Sequence, residues 1–231
     1  MTAPPAAGPR RAGVLCVTDR RAAGERPILE VIRAAIAGGA DLVQIREKDL
    51  GGAELLRLAR EAVEAARTAG GGCRILINDR LDVALAAKAA GVHLPAEGLP
   101  IDRVRRCAPR RFLVGRSVHS LAAARQAEKE GADYLIFGPV FETPSKAAFG
   151  APHGPAVLRK VVEAVRLPVW AIGGIGPANA AELRGIPIAG AAAISAIVAA
   201  PDPAAAVRAL RAALEEAAPA PGSRDPARRN G

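Results

Sequence analysis

No run in this chain approaches the roughly 18 consecutive apolar residues that a membrane span requires, and the opening MTAPPAAGPRRAG has no apolar centre of the kind a signal peptide needs. The expected compartment is therefore the cytoplasm, with no membrane partner. Cysteine is scarce as well. Cys16, Cys73 and Cys107 are odd in number and widely spaced, with no CxxC pair, which excludes a zinc or dithiol motif and reads as reduced, mostly buried thiols. Aromatics make up only 3% of the residues. The core must then be built from Ala, Val, Leu and Ile, which suits repeated helix and strand layers better than a small aromatic-centred fold.

Negative charge is in deficit, and the formal net charge is +9. Its location matters more than its size. Arg10 and Arg11 carry +2 in the head, and Arg224, Arg228 and Arg229 less Asp225 carry another +2 in the tail, leaving +5 for residues 13–218. Most of that sits as Arg interleaved with Glu, as in ELLRLAREAVEAAR, where i,i+3 and i,i+4 spacing predicts solvated ion pairs. No basic run is interleaved with aromatics, so nucleic acid is not an expected partner. An anionic small molecule is compatible with this balance.

What is present is a rhythm. Short β-branched runs alternate with Ala-rich amphipathic stretches. Strands are expected at Val14–Val17, Leu42–Arg46, Arg74–Ile77, Val92–Leu94, Phe112–Gly115, Tyr134–Phe137, Val169–Ile172 and Ile188–Ile194. Helices are expected near 26–38, 51–69, 80–90, 101–108, 120–130, 154–166, 177–184 and 203–217. Apolar strands joined by crossover helices are parallel and covered on both faces, so eight such units predict a single-domain α/β (β/α)8 TIM barrel over residues 13–218. An open doubly wound sheet is the competitor, but no GxGxxG follows the first strand. Residues 1–12 and 219–231, rich in Pro, Gly, Ala and Arg, are expected to be a disordered head and tail.

Such a barrel carries its reactive groups at the carboxyl ends of the strands. After the second strand, Gln44, Arg46 and Lys48 fall at i, i+2 and i+4, and strand periodicity puts them on one face, where they would meet a phosphate or diphosphate. The alternative is an ion-paired surface loop. After the third, Asn78 and Asp79 directly follow an apolar run, and Asp79 could hold Mg2+ or cap the next helix. The fifth strand ends in Arg116-Ser117-Val118-His119-Ser120. There His119 is placed for proton transfer, or for hydrogen bonding around a cap formed by Ser120. His93 reads as a barrel-packing residue and His153 as a solvated one. After the sixth strand, Thr143, Ser145 and Lys146 offer donors to an anion from a long loop that could be a lid or plain surface. Gly173, Gly174, Ser195 and Ala196, after strands seven and eight, occupy the usual phosphate-binding place of this architecture.

QIREKD, INDR, GVHLP, VGRSVHS, GADYLIFGPVFETPSK, AIGGI and AISAI, in that order, resemble the thiamine phosphate synthase and thiazole tautomerase family of (β/α)8 barrels, over residues 13 to about 215. The resemblance implies an enzyme of thiamine biosynthesis that binds thiazole carboxylate phosphate. In the synthase branch, hydroxymethylpyrimidine diphosphate is joined to the thiazole with release of diphosphate and CO2, using Mg2+. There Gln44, Arg46, Lys48, Asn78, Ser117, Thr143, Ser145 and Lys146 match binding positions and Asp79 a metal position. A synthase, however, carries a second carboxylate where this chain has Gly98, and Glu97 could replace it only by shifting the loop. In the tautomerase branch, which needs no metal, the catalytic histidine maps onto His119, and Arg116–Ser120 and Phe141–Thr143 are similar to that subfamily. On this balance the sequence favours a tautomerase, an isomerase that aromatises the ring by proton transfer. A synthase stands as the alternative and a non-catalytic sensor of a thiamine precursor as the third reading. Self-association is left open.

Overall fold

The computed structural model describes residues 12–70, 72–143 and 151–217. Eight parallel strands close into a barrel in chain order: β1 (Gly13–Val17), β2 (Leu42–Ile45), β3 (Arg74–Asn78), β4 (Gly91–Leu94), β5 (Leu113–Val118), β6 (Tyr134–Phe137), β7 (Val169–Ile172) and β8 (Gly190–Ala193). Closure is made by β8 pairing with β1, with Gly190 opposite Gly13. Around the strands lie α1 (Ile28–Ala37), α2 (Gly52–Thr68), α3 (Leu81–Ala86), α4 (Ile101–Cys107), α5 (Leu121–Lys129), α6 (Gly154–Ala164), α7 (Ser195–Val198) and α8 (Pro203–Ala217). The architecture is the single-domain (β/α)8 barrel that the alternating pattern implies. No described helix is long and apolar enough to cross a membrane. The expected disordered head and tail lie outside the described residues, except that Ala12 is buried at the base of the barrel.

The departures from the expected elements have local causes. α3 ends at Ala86 rather than near residue 90, because Lys88 turns left-handed (φ 54°) and the Ala89 N–H bonds back to the Ala84 carbonyl. After β7 the expected helix is reduced to one 3-10 turn, Ala180–Leu183. Just before it, the Asn179 side chain folds onto the loop, accepting from the Gly176 N–H and donating to the Gly174 carbonyl. After β8 the short extra helix α7 precedes α8. β5 runs three residues past its expected end at Gly115, since Arg116, Ser117 and Val118 stay paired with Leu135, Ile136 and Phe137 of β6.

Two apolar layers result. One packs strands against helices, and the other fills the barrel with Leu15, Val17, Leu42, Leu76, Tyr134, Ile136, Trp170 and Ala192. The single Trp and single Tyr are thus both inside the barrel, against the expectation of small branched residues throughout. Glycines make room for them. A Cβ at Gly13 would stand 2.5 Å from the Trp170 ring, and one at Gly190 would stand 2.7 Å from it. The expectation for the cysteines is also corrected: all three are free, but only Cys16 is buried, with Cys73 half-buried and Cys107 exposed.

The base of the barrel carries the same clasp twice. Asp41, before β2, accepts from the Val14 N–H of β1 and from Arg211 of α8. Asp133, before β6, accepts from the Val114 N–H of β5 and from Arg105 of α4. Each arginine also reaches the carbonyl two residues before that valine, Ala12 for Arg211 and Phe112 for Arg105. It also reaches the glycine two residues before the aspartate, Gly39 or Gly131. The two (β/α)4 halves therefore repeat one device, α4 closing the second half as α8 closes the first.

Candidate active site

Along each strand, alternate side chains enter the barrel. Near the carboxyl end this divides the floor in two. From β2 to β5 the inward residues are Gln44, Asn78, His93 and Ser117, all polar. From β6 around to β1 they are Ile136, Ile172, Ala192 and Val17, all apolar. The polar half is linked by hydrogen bonds. Gln44 Nε2 donates to Asn78 Oδ1 at 3.0 Å, and His93 lies between Tyr134 (Nδ1 to the hydroxyl, 3.1 Å) and Ser117 (Nε2 to Oγ, 2.8 Å). Burial, with Arg116 nearby, pushes His93 down to about 3, so the imidazole is neutral. His93 is inside the barrel as expected, but as a hydrogen-bonded member of the polar floor. Gln44 Oε1 is buried without a hydrogen-bonding partner among the described residues, which makes it a ready acceptor for a substrate N–H.

Above Gln44 the expected strand periodicity fails, because β2 stops at Ile45 and Lys48 stands in an exposed turn. Arg46 and Lys48 are held by a different device. The Thr18 hydroxyl accepts from the Arg46 N–H and donates to Glu47, whose other oxygen accepts from the Arg20 N–H. Asp49 in turn pairs with Arg20 and Arg21. The acids next to Arg46 and Lys48 are thus occupied by the β1 loop, while the side chains of Arg46 and Lys48 make no hydrogen bond or ion pair among the described residues. The alternative reading of this segment, an ion-paired surface loop, thus describes its acids, while Arg46 and Lys48 stay outside that pairing. Thr18 and Glu47 were not singled out from sequence, since their pairing spans 29 residues.

Asp79 is exposed at φ 63° and does not cap α3, whose N-cap is Arg80 with no side-chain cap bond. Its carboxylate makes no hydrogen bond or ion pair among the described residues. Across the mouth, Arg116 is buried and donates to the carbonyls of Pro95, Ala96 and Leu99. This fixes the turn in which Glu97 points to solvent and a Cβ on Gly98 would stand 2.8 Å from the Pro95 ring. Among the described residues, no three His, Cys, Asp or Glu side chains gather as a metal site. Mg2+ commonly takes one or two carboxylates and completes its shell with phosphate oxygens and water. Asp79 therefore fits a metal that arrives with a diphosphate, and does not form a preassembled cage.

His119 is exposed just beyond β5, with Nδ1 2.5 Å from the Gly138 carbonyl oxygen. Nδ1 thus carries a proton, and Nε2 has no hydrogen-bonding partner among the described residues. The cap on α5 is formed by Ser120 alone, which accepts from the Ala123 N–H. His153, expected to be solvated, is half-buried with its ring 5.1 Å from Phe137. Thr143 is half-buried after β6, whereas Ser145 and Lys146 lie outside the described residues.

Gly173 and Gly174 both take positive φ (102° and 63°), and a Cβ on Gly174 would meet the Glu142 carbonyl oxygen at 2.3 Å. The Phe141 N–H donates to the Gly173 carbonyl, so the β6 and β7 loops are bound together. Ser195 and Ala196 begin α7, beside that loop. The backbone N–H groups of Gly174, Ser195 and Ala196 donate to no described residue, which leaves them available to an anion.

This constellation can be set beside known proteins. A model of the thiamine monophosphate synthase family matches residues 14–197. The chain belongs to that family. A thiamine-phosphate synthase from Methanoculleus marisnigri is 46% identical over 195 residues, covering 84% of this chain and 92% of that protein. One from Roseiflexus castenholzii is 44% identical over 197 residues, covering 85% and 86%. The solved structure of a thiamine phosphate pyrophosphorylase from Pyrococcus furiosus superposes with a TM-score of 0.80 at 38% identity, covering 90% of this chain and 98% of that one. Family membership makes this an enzyme of thiamine biosynthesis. The names of these relatives favour the synthase reading and reverse the order in which the sequence alone ranks synthase and tautomerase.

Proposed function

We propose that this family member is a thiamine-phosphate synthase, a transferase that joins hydroxymethylpyrimidine diphosphate to thiazole phosphate. One observation carries the reading. Arg46 and Lys48 stand at the mouth with side chains unpaired among the described residues, while the neighbouring Glu47 and Asp49 are engaged elsewhere. Two cations so placed, beside the part-buried Gln44–Asn78 pair, match the charge of a diphosphate, whereas the single carboxylate of the tautomerase substrate would use only part of it.

In the reaction the bond between the pyrimidine's exocyclic carbon and the diphosphate oxygen breaks, its electron pair leaving with the diphosphate, and a bond to the thiazole nitrogen forms. Arg46, Lys48 and Ser117 neutralise the charge that grows on the leaving group. Gln44 Oε1 accepts from a substrate N–H, and Asn78 orients Gln44. The thiazole phosphate is held by the N–H groups at Gly173, Gly174, Ser195 and Ala196, with Thr143 as a further donor after β6. Mg2+, held at Asp79, supplies further neutralisation of the diphosphate when bound. The polar and apolar halves of the floor keep the charged leaving group away from the packed rings.

Incubating the protein with both substrates and Mg2+ is expected to yield thiamine phosphate and pyrophosphate, with Arg46→Ala lowering kcat/KM by about 100-fold, as loss of a charged hydrogen-bonding group implies. The tautomerase stands as the second reading, favoured by His119, whose Nε2 has no partner among the described residues, and by Gly98 at the second metal position. Aromatisation of thiazole carboxylate phosphate without coupling, lost in His119→Ala, would establish it instead. Binding of the thiazole phosphate with neither turnover would leave the precursor sensor. The substrate and its phosphates are the only partners this reading requires.

A further inference from the structure

Tyr134 has no part in the chemistry above, yet it is built into the floor with care. A Cβ on Gly115 would stand within 2.1 Å of the Tyr134 ring, so glycine there gives the phenol its place. The hydroxyl is buried, and His93 Nδ1, at 3.1 Å, is its one hydrogen-bonding partner among the described residues.

That isolation settles the direction of the whole chain of bonds. A neutral imidazole carries one proton, on the nitrogen its neighbours choose. Burial keeps His93 neutral, down to about 3, and holds the Tyr134 phenol protonated. If Nδ1 carried the ring proton, the phenol would have no acceptor for its own, and a buried donor would go unsatisfied. The phenol therefore donates to Nδ1, the ring proton sits on Nε2, and Nε2–H donates to Ser117 Oγ at 2.8 Å. A hydroxyl oxygen that accepts from His93 still has its own proton to give. In the opposite tautomer Ser117 would donate inward and present only lone pairs to the mouth.

We propose that Tyr134 is a positioning residue, fixing the Nε2–H tautomer of His93 so that the half-buried Ser117 hydroxyl is kept as a donor to the substrate's phosphate oxygens. The consequence for binding rests on the reading of Ser117 as an anion ligand; the tautomer does not.

Nitrogen-15 NMR of the histidine rings in the wild-type protein tests the first half, and is expected to show His93 protonated at Nε2 and bare at Nδ1. A protonated Nδ1 overturns the proposal whatever the activity. Tyr134→Phe is expected to produce a protonated-Nδ1 population and to weaken binding of inorganic pyrophosphate with Mg2+ by about tenfold, the worth of one hydrogen bond to a charged group. In the Ser117→Ala background the same substitution should leave pyrophosphate binding unchanged, because the hydroxyl it orients is gone. Unchanged histidine spectra in a folded Tyr134→Phe protein would overturn the proposal. An Nε2–H signal together with normal pyrophosphate binding by Ser117→Ala would overturn instead the placing of the anion at Ser117, and with it the consequence for binding.

Discussion

The Thr18 hydroxyl donates to the Glu47 carboxylate at 2.5 Å and accepts from the Arg46 N–H at 2.9 Å, so one side chain of the β1 loop holds the backbone that carries Arg46 and Lys48. Glu47 is 5% exposed, and a buried carboxylate depends on each donor it has. Thr18→Val keeps the shape and removes the hydroxyl. It is expected to cost about 1–3 kcal/mol of stability and to raise KM for the pyrimidine diphosphate by roughly tenfold as Arg46 loses its anchor. Steady-state kinetics with urea unfolding reads both, and an unchanged KM would show that Arg46 is placed without Thr18.

Buried, neutral His93 makes the barrel sensitive to acid. Its folded value of about 3 lies below the ordinary value of 6.5, so between these pH values the unfolded chain binds a proton that the folded one refuses. Stability from this group is complete above about pH 6.5 and is lost as pH falls toward 3, by up to about 1.4 kcal/mol per pH unit. Urea unfolding from pH 7.5 to 4.5 should show this slope in the wild type and a shallower one in His93→Gln. Parallel slopes would refute the assignment.

The barrel was legible because its cause is local. Strands such as Tyr134–Phe137 and Val169–Ile172 are apolar on both faces, and helices separate them at even spacing. Arg116 and Ser117 were invisible as strand, since pairing with β6 overrides their polarity. The site was legible as far as single segments show it, in Gln44, Asn78 and Ser117 at strand ends. Its supports were not. Thr18 with Glu47, Arg116 with Pro95, Ala96 and Leu99, and Tyr134 with His93 join segments 17 to 41 residues apart. Pairing of β1 with β2 and of β4 with β5 brings the first two together, and the inward faces of β4 and β6 the third.

The fit between Trp170 and its glycines can be measured as a coupling. A Cβ at position 13 would lie 2.5 Å from the Trp170 ring and 3.2 Å from the Ala189 carbonyl oxygen. Gly13→Ala is expected to cost about 2–3 kcal/mol, as overpacking of a rigid interior does. In a Trp170→Leu background the ring is gone, and the same substitution should cost less by at least about 1 kcal/mol. Thermal and urea unfolding of the four proteins closes the cycle. Strict additivity would mean that the main chain, rather than the indole, forbids the side chain.

The two clasps at the base share a geometry but not an environment. Arg211 has a side-chain exposure of 8%, against 29% for Arg105, and their aspartates are similarly exposed at 44% and 38%. Removing either arginine frees the carbonyls and the carboxylate that it bridges. Around Arg105 water can take its place. Around Arg211 the Ala12 carbonyl is sealed beneath α8, so its lost partner goes unreplaced. Arg211→Leu is therefore expected to cost about 3 kcal/mol and Arg105→Leu about 1 kcal/mol. Equal losses in urea unfolding would show that the shared geometry, rather than burial, sets the strength of the device.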